Sequence, residues 1–113
     1  MGWVRCAGWW EQSGYGRQSM EQLVLLFEDG RISGSGVDLI GPFTLVGDLQ
    51  EERIYLLKQY IDQHQSEYFG TSLGEGAYGG RWSHEGWLGE SWFIRVVGLA
   101  DHAEQVGVAV EMS

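Results

Sequence analysis

The sequence predicts an all-β fold, an eight-stranded antiparallel up-and-down barrel, on three observations. Turn signals recur about every ten residues, a spacing that suits a meander of hairpins and is too short for βαβ units. Eighteen glycines stand beside a single proline with no collagen period, a composition of tight turns and bent strands. The run Ile32-Ser33-Gly34-Ser35-Gly36-Val37-Asp38, followed by Gly41-Pro42-Phe43-Thr44-Leu45-Val46-Gly47, joins strand-length alternation to glycines where backbone must bend or pack closely.

The strands follow from the turns. The first is expected over Gly8 to Tyr15, ended at Gly16-Arg17, and the second over Gln18 to Phe27, ended by the hairpin pair Asp29-Gly30. Arg31 to Asp38 and Pro42 to Leu49 are the third and fourth. After the polar Gln50-Glu51-Glu52 come Arg53 to Gln59 or Tyr60, a turn near Asp62, and then His64 to Thr71, Gly76 to Ser83 and Glu90 to Val97. A meander of this kind leaves two edges if open, and closure removes them, so a barrel is favoured over a sandwich. The barrel spans about residues 8 to 97 and residues 98–113 form a C-terminal tail, a short strand or a frayed end docked through Val106, Val108 and Val110.

With 113 residues the chain suits a single domain, 1–113, and its 43% of apolar residues, six of them Trp, supply a real core. The net charge of −9, with only seven Lys and Arg, excludes a nucleic-acid footprint and an anionic membrane surface as partners. Leu23 to Phe27 is the longest apolar run, too short to span a bilayer, and the start carries neither a signal peptide nor a myristoylation motif. A cytoplasmic location is the expectation. Cys6, the one cysteine, permits no internal disulfide and has no neighbouring His or Asp to activate it.

Alternation sorts the faces. On the fifth strand Ile54, Leu56, Lys58 and Tyr60 point one way, Tyr55 and Leu57 the other. Both faces are apolar there, as in Leu23 to Phe27 and Trp92 to Val97, which implies an outer wall covered by the tail or by a second subunit; a homodimer is expected.

The start, Gly8-Trp9-Trp10, with Arg95 on the last strand, resembles the calycin arrangement of lipocalins, fatty-acid-binding proteins and avidins. The resemblance implies that the first-strand Gly-x-Trp packs beneath a basic residue of the final strand to close the barrel base. A longer pattern, from Gly34-Ser35-Gly36-Val37-Asp38 and Gly41-Pro42-Phe43 through Lys58-Gln59-Tyr60, His64, Tyr68-Phe69-Gly70 and Gly79-Gly80-Arg81-Trp82, resembles small, mostly uncharacterised lipocalin-like bacterial barrels. It covers roughly residues 9 to 95 and departs from the usual pattern in Ser66 and in the missing Trp-Pro ending. What it implies is the fold, with almost no biochemistry.

The most suggestive constellation is Lys58, Tyr60, His64 and Tyr68, evenly spaced within the fifth and sixth strands. If that face points inward, a cation, an imidazole and two phenols converge on one cavity suited to a polar-aromatic or weakly anionic small molecule. The alternative has Lys58 and His64 at the rim and the tyrosines holding strand register. Asp38 is expected to cap the turn before Gly41, and Glu67 to face opposite His64. Gly74-Glu75-Gly76-Ala77-Tyr78-Gly79 matches G-x-G-x-x-G but opens no helix, so no dinucleotide is expected. His64, His84 and His102 lack metal-ligand spacing, and neither metal nor cofactor is expected.

No nucleophile, metal or phosphate motif is strong enough to name a reaction. Binding of a small molecule in the barrel is the leading expectation. Behind it stand a carbohydrate-binding surface built on Trp82, Trp87 and Trp92, with Trp87 as the loop aromatic; a small barrel isomerase or cyclase using His64 with Tyr60 or Tyr68; and a structural dimerisation domain.

Overall fold

Eight hairpin-linked strands close on themselves in the computed structural model, which describes residues 2–100. They are β1 (Val4–Gln12), β2 (Gly16–Glu28), β3 (Arg31–Val37), β4 (Pro42–Gln50), β5 (Arg53–Tyr60), β6 (Gln65–Gly74), β7 (Ala77–His84) and β8 (Trp87–Leu99). Every neighbour pair is antiparallel, and β1 pairs with β8 to shut the barrel. The all-β, up-and-down barrel expected from the turn spacing is the fold of the chain.

Most boundaries fall within a residue or two of expectation, and the exceptions have local causes. The first turn is Ser13 to Tyr15 rather than Gly16-Arg17: Tyr15 N–H donates to the Gln12 carbonyl at 2.9 Å, and Gly16 already pairs with Gln12. β1 also begins four residues early, at Val4, because Val4 and Arg5 pair with Leu99 and Gly98. Those pairings place the start of the expected tail inside β8. At its other end β8 begins at Trp87, since Glu85 and Gly86, with φ of 50° and 84°, make a two-residue hairpin that leaves no loop. Trp87 is therefore the first residue of a strand and not a loop aromatic. Asp62, with φ of 58°, turns the chain between β5 and β6 and leaves His64 just outside the strand expected to contain it. Val106, Val108, Val110 and His102 lie outside the described residues.

The alternation of β5 sets the inner face. Ile54, Leu56, Lys58 and Tyr60 are all buried in the lumen, while Tyr55 and Leu57 stand on the outer wall. Even-numbered positions of β1, β3 and β6 and odd-numbered positions of β4 also face inward. One irregularity keeps β2 in step with β1. Glu21 and Gln22 together lie opposite Ala7, and Gln22 takes a φ of 51°, so Met20 and Leu23 both enter the core although three residues apart. The result is one continuous core from Val4 and Ile54 at one end to Trp10 and Trp82 at the other. An eight-stranded barrel has an interior just wide enough for side chains, and here side chains fill it.

Two glycines of β3 show how close that packing is. A Cβ at Gly34 would stand 2.1 Å from the Val24 carbonyl oxygen, and one at Gly36 would stand 2.8 Å from the ring of Phe43. The backbone of β3 is drawn against its neighbours, and only glycine allows the approach. Gly34→Ala is expected to destabilise the fold by at least about 1–3 kcal/mol, the range of an overpacked core. Gly2→Ala, where a Cβ meets nothing within 4 Å, is expected to leave it unchanged. Urea unfolding followed by Trp fluorescence measures both.

Candidate functional site

Near one end of the lumen the chain's single lysine meets a carboxylate in the barrel interior. Lys58, on β5, is 1% exposed, and Asp38, one residue beyond β3, has a fully buried side chain. The Lys58 ammonium donates to Asp38 Oδ2 at 2.6 Å and to the Tyr68 hydroxyl at 3.2 Å. The same carboxylate oxygen accepts from the Tyr60 hydroxyl at 2.6 Å and from Trp10 Nε1 at 3.0 Å. Oδ1 accepts the Ile40 backbone N–H at 3.0 Å. Asp38 thus caps the β3–β4 turn as expected and, beyond that, joins groups from β1, β5 and the turn.

Aromatic rings enclose the ammonium. Its nitrogen lies 4.3 Å from the Phe43 ring centroid, 4.8 Å from Tyr60, 5.3 Å from Trp10 and 5.4 Å from Tyr68. Ring faces attract a cation, and desolvation strengthens the attraction. Phe43 and Tyr60 meet edge to face, as do Trp10 and Trp82, and Tyr68 leans on Trp92.

The electrostatics follow from burial set against partners. Burial works against the Asp38 charge, but Lys58, Tyr60 and the Ile40 amide together bring its pKa below the ordinary carboxylate value. Burial pulls Lys58 down to about 8, with Asp38 holding it from falling further. Burial, then the Asp38 carboxylate, pushes Tyr60 upward, and the same two causes raise Tyr68 well above the usual phenol range. At neutral pH both phenols are therefore donors and not bases. Cys6, pushed up to about 12 by burial, stays a thiol.

Of the four residues singled out from the sequence, Lys58, Tyr60 and Tyr68 converge in the lumen. His64 does not join them there. It sits exposed at the rim, in the β5–β6 turn, with its ring 5.0 Å from Tyr60 and 4.8 Å from the ring of His84. His84 is oriented by Nδ1, 2.8 Å from the Gln65 carbonyl oxygen. Lys58 is not at the rim, and its charge is already matched by Asp38, so among the described residues the lumen offers an anionic ligand no unmatched cation. Glu67 faces away from the lumen as expected and accepts a hydrogen bond from Tyr55 on the outer wall at 2.8 Å.

Between the network and the rim lies a small cavity of about 40 Å³. Trp10, Tyr60, Tyr68 and Trp82 form its aromatic walls; Gln12, Ile40, His64 and Ser66 complete it. Two hydroxyls there have capacity left. Tyr68 accepts from Lys58 and has no acceptor for its own proton among the described residues, and the hydroxyl of Ser66, whose backbone pairs with Lys58 on β5, makes no side-chain hydrogen bond to another described residue. Sequence reasoning had met Ser66 only as a departure from a pattern. Its even spacing from His64 and Tyr68 was the signal that it shares their face.

The tryptophan surface is not assembled. Trp82 and Trp92 are buried, with Trp82 Nε1 donating to the Glu11 carbonyl and Trp92 Nε1 to the carbonyls of Phe69 and Arg81; Trp87 alone is open to solvent. No group of three or more His, Cys, Asp or Glu side chains gathers among the described residues.

No family model, no curated protein and no solved structure matches the chain. What stands is the architecture, an eight-stranded closed antiparallel barrel. The calycin expectation for Trp10 is corrected in one respect. Arg95 points outward over Phe93 and does not cover Trp10; the basic group beside that ring is Lys58, from β5. Residues of β8 that face the lumen are the even-numbered Trp92, Ile94 and Val96, and an odd position such as 95 falls outside.

The ion pair sets a prediction for stability. Lys58→Met leaves the Asp38 charge buried without its counterion and is expected to cost about 3–5 kcal/mol at pH 7. The double variant Asp38→Asn with Lys58→Met is expected to recover a large part of that loss. A lowered folded-state pKa means that Asp38 contributes stability above the ordinary carboxylate value and loses it as pH falls through the lowered value. Urea unfolding between pH 2 and about 5 is therefore expected to show a shallower acid loss in the double variant than in the native chain.

Proposed function

We propose that the barrel binds a small molecule at its mouth, taking a neutral, hydrogen-bond-accepting group of the ligand into the cavity above the Lys58–Asp38 pair. The observation that carries this reading is the pair of hydroxyls, Ser66 and Tyr68, with unused capacity inside aromatic walls. A hydroxyl with unused capacity among aromatic walls favours a ligand that supplies the missing acceptor. The matched ion pair beneath and the net charge of −9 argue for a neutral group over an anionic one. At about 40 Å³ the space suits a functional group and not a whole ligand enclosed in the lumen.

Acetamide, whose carbonyl is the acceptor and whose charge is zero, is the probe. Titrated into the isotopically labelled protein, it is expected to shift the amide signals of Ser66 and Tyr68 and the Trp10 indole N–H, with acetate producing smaller shifts. Ser66→Ala and Tyr68→Phe are each expected to weaken the effect severalfold. Shifts confined to other surfaces, or none at high acetamide concentration, would sink the reading.

A second reading concerns the outer wall. Leu26, Val46, Leu57 and Tyr55, flanked by the charged Glu28, Asp29, Arg31 and Asp48, line a groove of about 670 Å³ across β2 to β5, and Val46 is 49% exposed. Apolar surface of this kind supports self-association through the wall, as a homodimer. Light scattering is expected to give twice the chain mass at micromolar concentration and a single mass for Val46→Asp; a native chain that is monomeric throughout removes this reading.

A further inference from the structure

The mouth and the opposite end of the barrel differ in what their turns expose. Connections β1–β2, β3–β4, β5–β6 and β7–β8 all lie at the mouth, because the strands alternate in direction. On or beside them stand exposed Tyr15, Leu39, Ile40, Ile61, Trp87 and Leu88. The three turns at the far end are Asp29-Gly30, Glu51-Glu52 and Glu75-Gly76, with no large apolar residue among them, and exposed Leu73 and Leu99 stand singly on strand ends at that side. Apolar side chains scattered singly need no explanation, but a ring of them around a polar pocket does.

Register connects this ring to the cavity. Trp87 is the cross-strand partner of His84, so the two side chains share a face of the sheet, and the His84 ring lies against that of His64, which lines the cavity. Trp87 is nevertheless 79% exposed. Ile40 lines the cavity directly, its own amide fixed by Asp38, and Ile61 is tied to the neighbouring turn through its N–H to the Pro42 carbonyl at 3.1 Å. The apolar ring is thus held in place by the same turns that shape the pocket.

We propose that the ligand of this mouth is a neutral single-chain amphiphile, its accepting headgroup seated among Ser66, Tyr68 and His64 and its hydrocarbon chain laid outward across Ile40, Ile61 and Trp87. The inference rests on the mouth-binding reading above and adds the class of molecule. Size decides it: a cavity of about 40 Å³ takes a head and leaves the remainder of the ligand at the rim, and the rim is apolar. Charge decides the head, since Asp38 already matches the one buried cation. A chain laid across the rim removes apolar surface of both partners from water, worth about fourfold in affinity for each methylene fully buried.

Octanamide and acetamide share a headgroup and differ in the chain, and octanoate keeps the chain with an anionic head. All three are titrated below micellar concentration into the full chain by calorimetry and NMR. Octanamide is expected to bind at least about tenfold more tightly than acetamide, a modest share of the gain available from burying its additional methylenes, and more tightly than octanoate. The double variant Ile61→Ser with Trp87→Ser changes only exposed side chains. It is expected to remove most of the octanamide gain while leaving acetamide shifts at Ser66 and Tyr68 unchanged. If octanamide binds no better than acetamide, or its gain survives the rim variant, the amphiphile is overturned while the mouth reading stands. If neither amide perturbs the mouth, both fall together.

Discussion

A buried ion pair between Lys58 and Asp38 is the constraint around which the upper half of this barrel is arranged. Removing an ammonium and a carboxylate from water costs several kcal/mol for each ion, and mutual attraction repays that only when geometry is good and the remaining hydrogen-bonding capacity is met. Here the carboxylate receives four donors, from Lys58, Tyr60, Trp10 and the Ile40 amide. The ammonium is faced by four rings and by the Tyr68 hydroxyl. These partners come from β1, β4, β5, β6 and the β3–β4 turn, strands that lie side by side along only part of the wall. Only a closed sheet points them at a common centre, so satisfaction of the pair and closure of the barrel are one condition.

That condition also fixes what kind of barrel this is. Large aromatic and aliphatic side chains occupy the lumen from end to end, and the charged pair acts as a polar floor below the mouth. A wide internal chamber would expose the pair to water and weaken the contacts that hold it, because a higher local dielectric reduces both its attraction and its hydrogen bonds. The space left over is accordingly small and lies above the floor, where Ser66 and Tyr68 meet it. Close backbone approach at Gly34 and Gly36 and the bulge at Gln22 serve the same end, letting Phe43, Met20 and Leu23 fill the interior.

Much of this was legible in the sequence, and the limits are instructive. Asp29-Gly30 and the polar Gln50-Glu51-Glu52 marked two-residue turns, and a period of two on β5 grouped Lys58 with Ile54, Leu56 and Tyr60. Local chemistry sufficed for those. Asp38 was readable as a turn cap because that bond is local, but its bonds to Trp10, Lys58 and Tyr60 join residues twenty or more positions apart, which no short window can pair. His64 was misplaced by one position, enough to move it from a strand to the rim, because Asp62 adopts a left-handed φ that its residue type permits without requiring. Arg95 was misplaced by the calycin resemblance, since the inward face of β8, set by pairing with β1 and β7, takes the even-numbered Trp92 and Ile94 and leaves position 95 outside.

The two ends of the barrel complete the argument. An acidic chain needs its charges in water, and the far turns carry Asp29, Glu51, Glu52 and Glu75 where they are solvated and distant from the buried carboxylate. The mouth's turns mix apolar and small residues with the exposed carboxylates Asp62 and Glu85, and Leu39 and Ile40 stand directly beside the Asp38 cap. Shielding the ion pair from water and presenting an apolar rim are therefore consequences of a single arrangement. The turns that stabilise the pair are also the ones on which the proposed binding of a hydrocarbon chain rests.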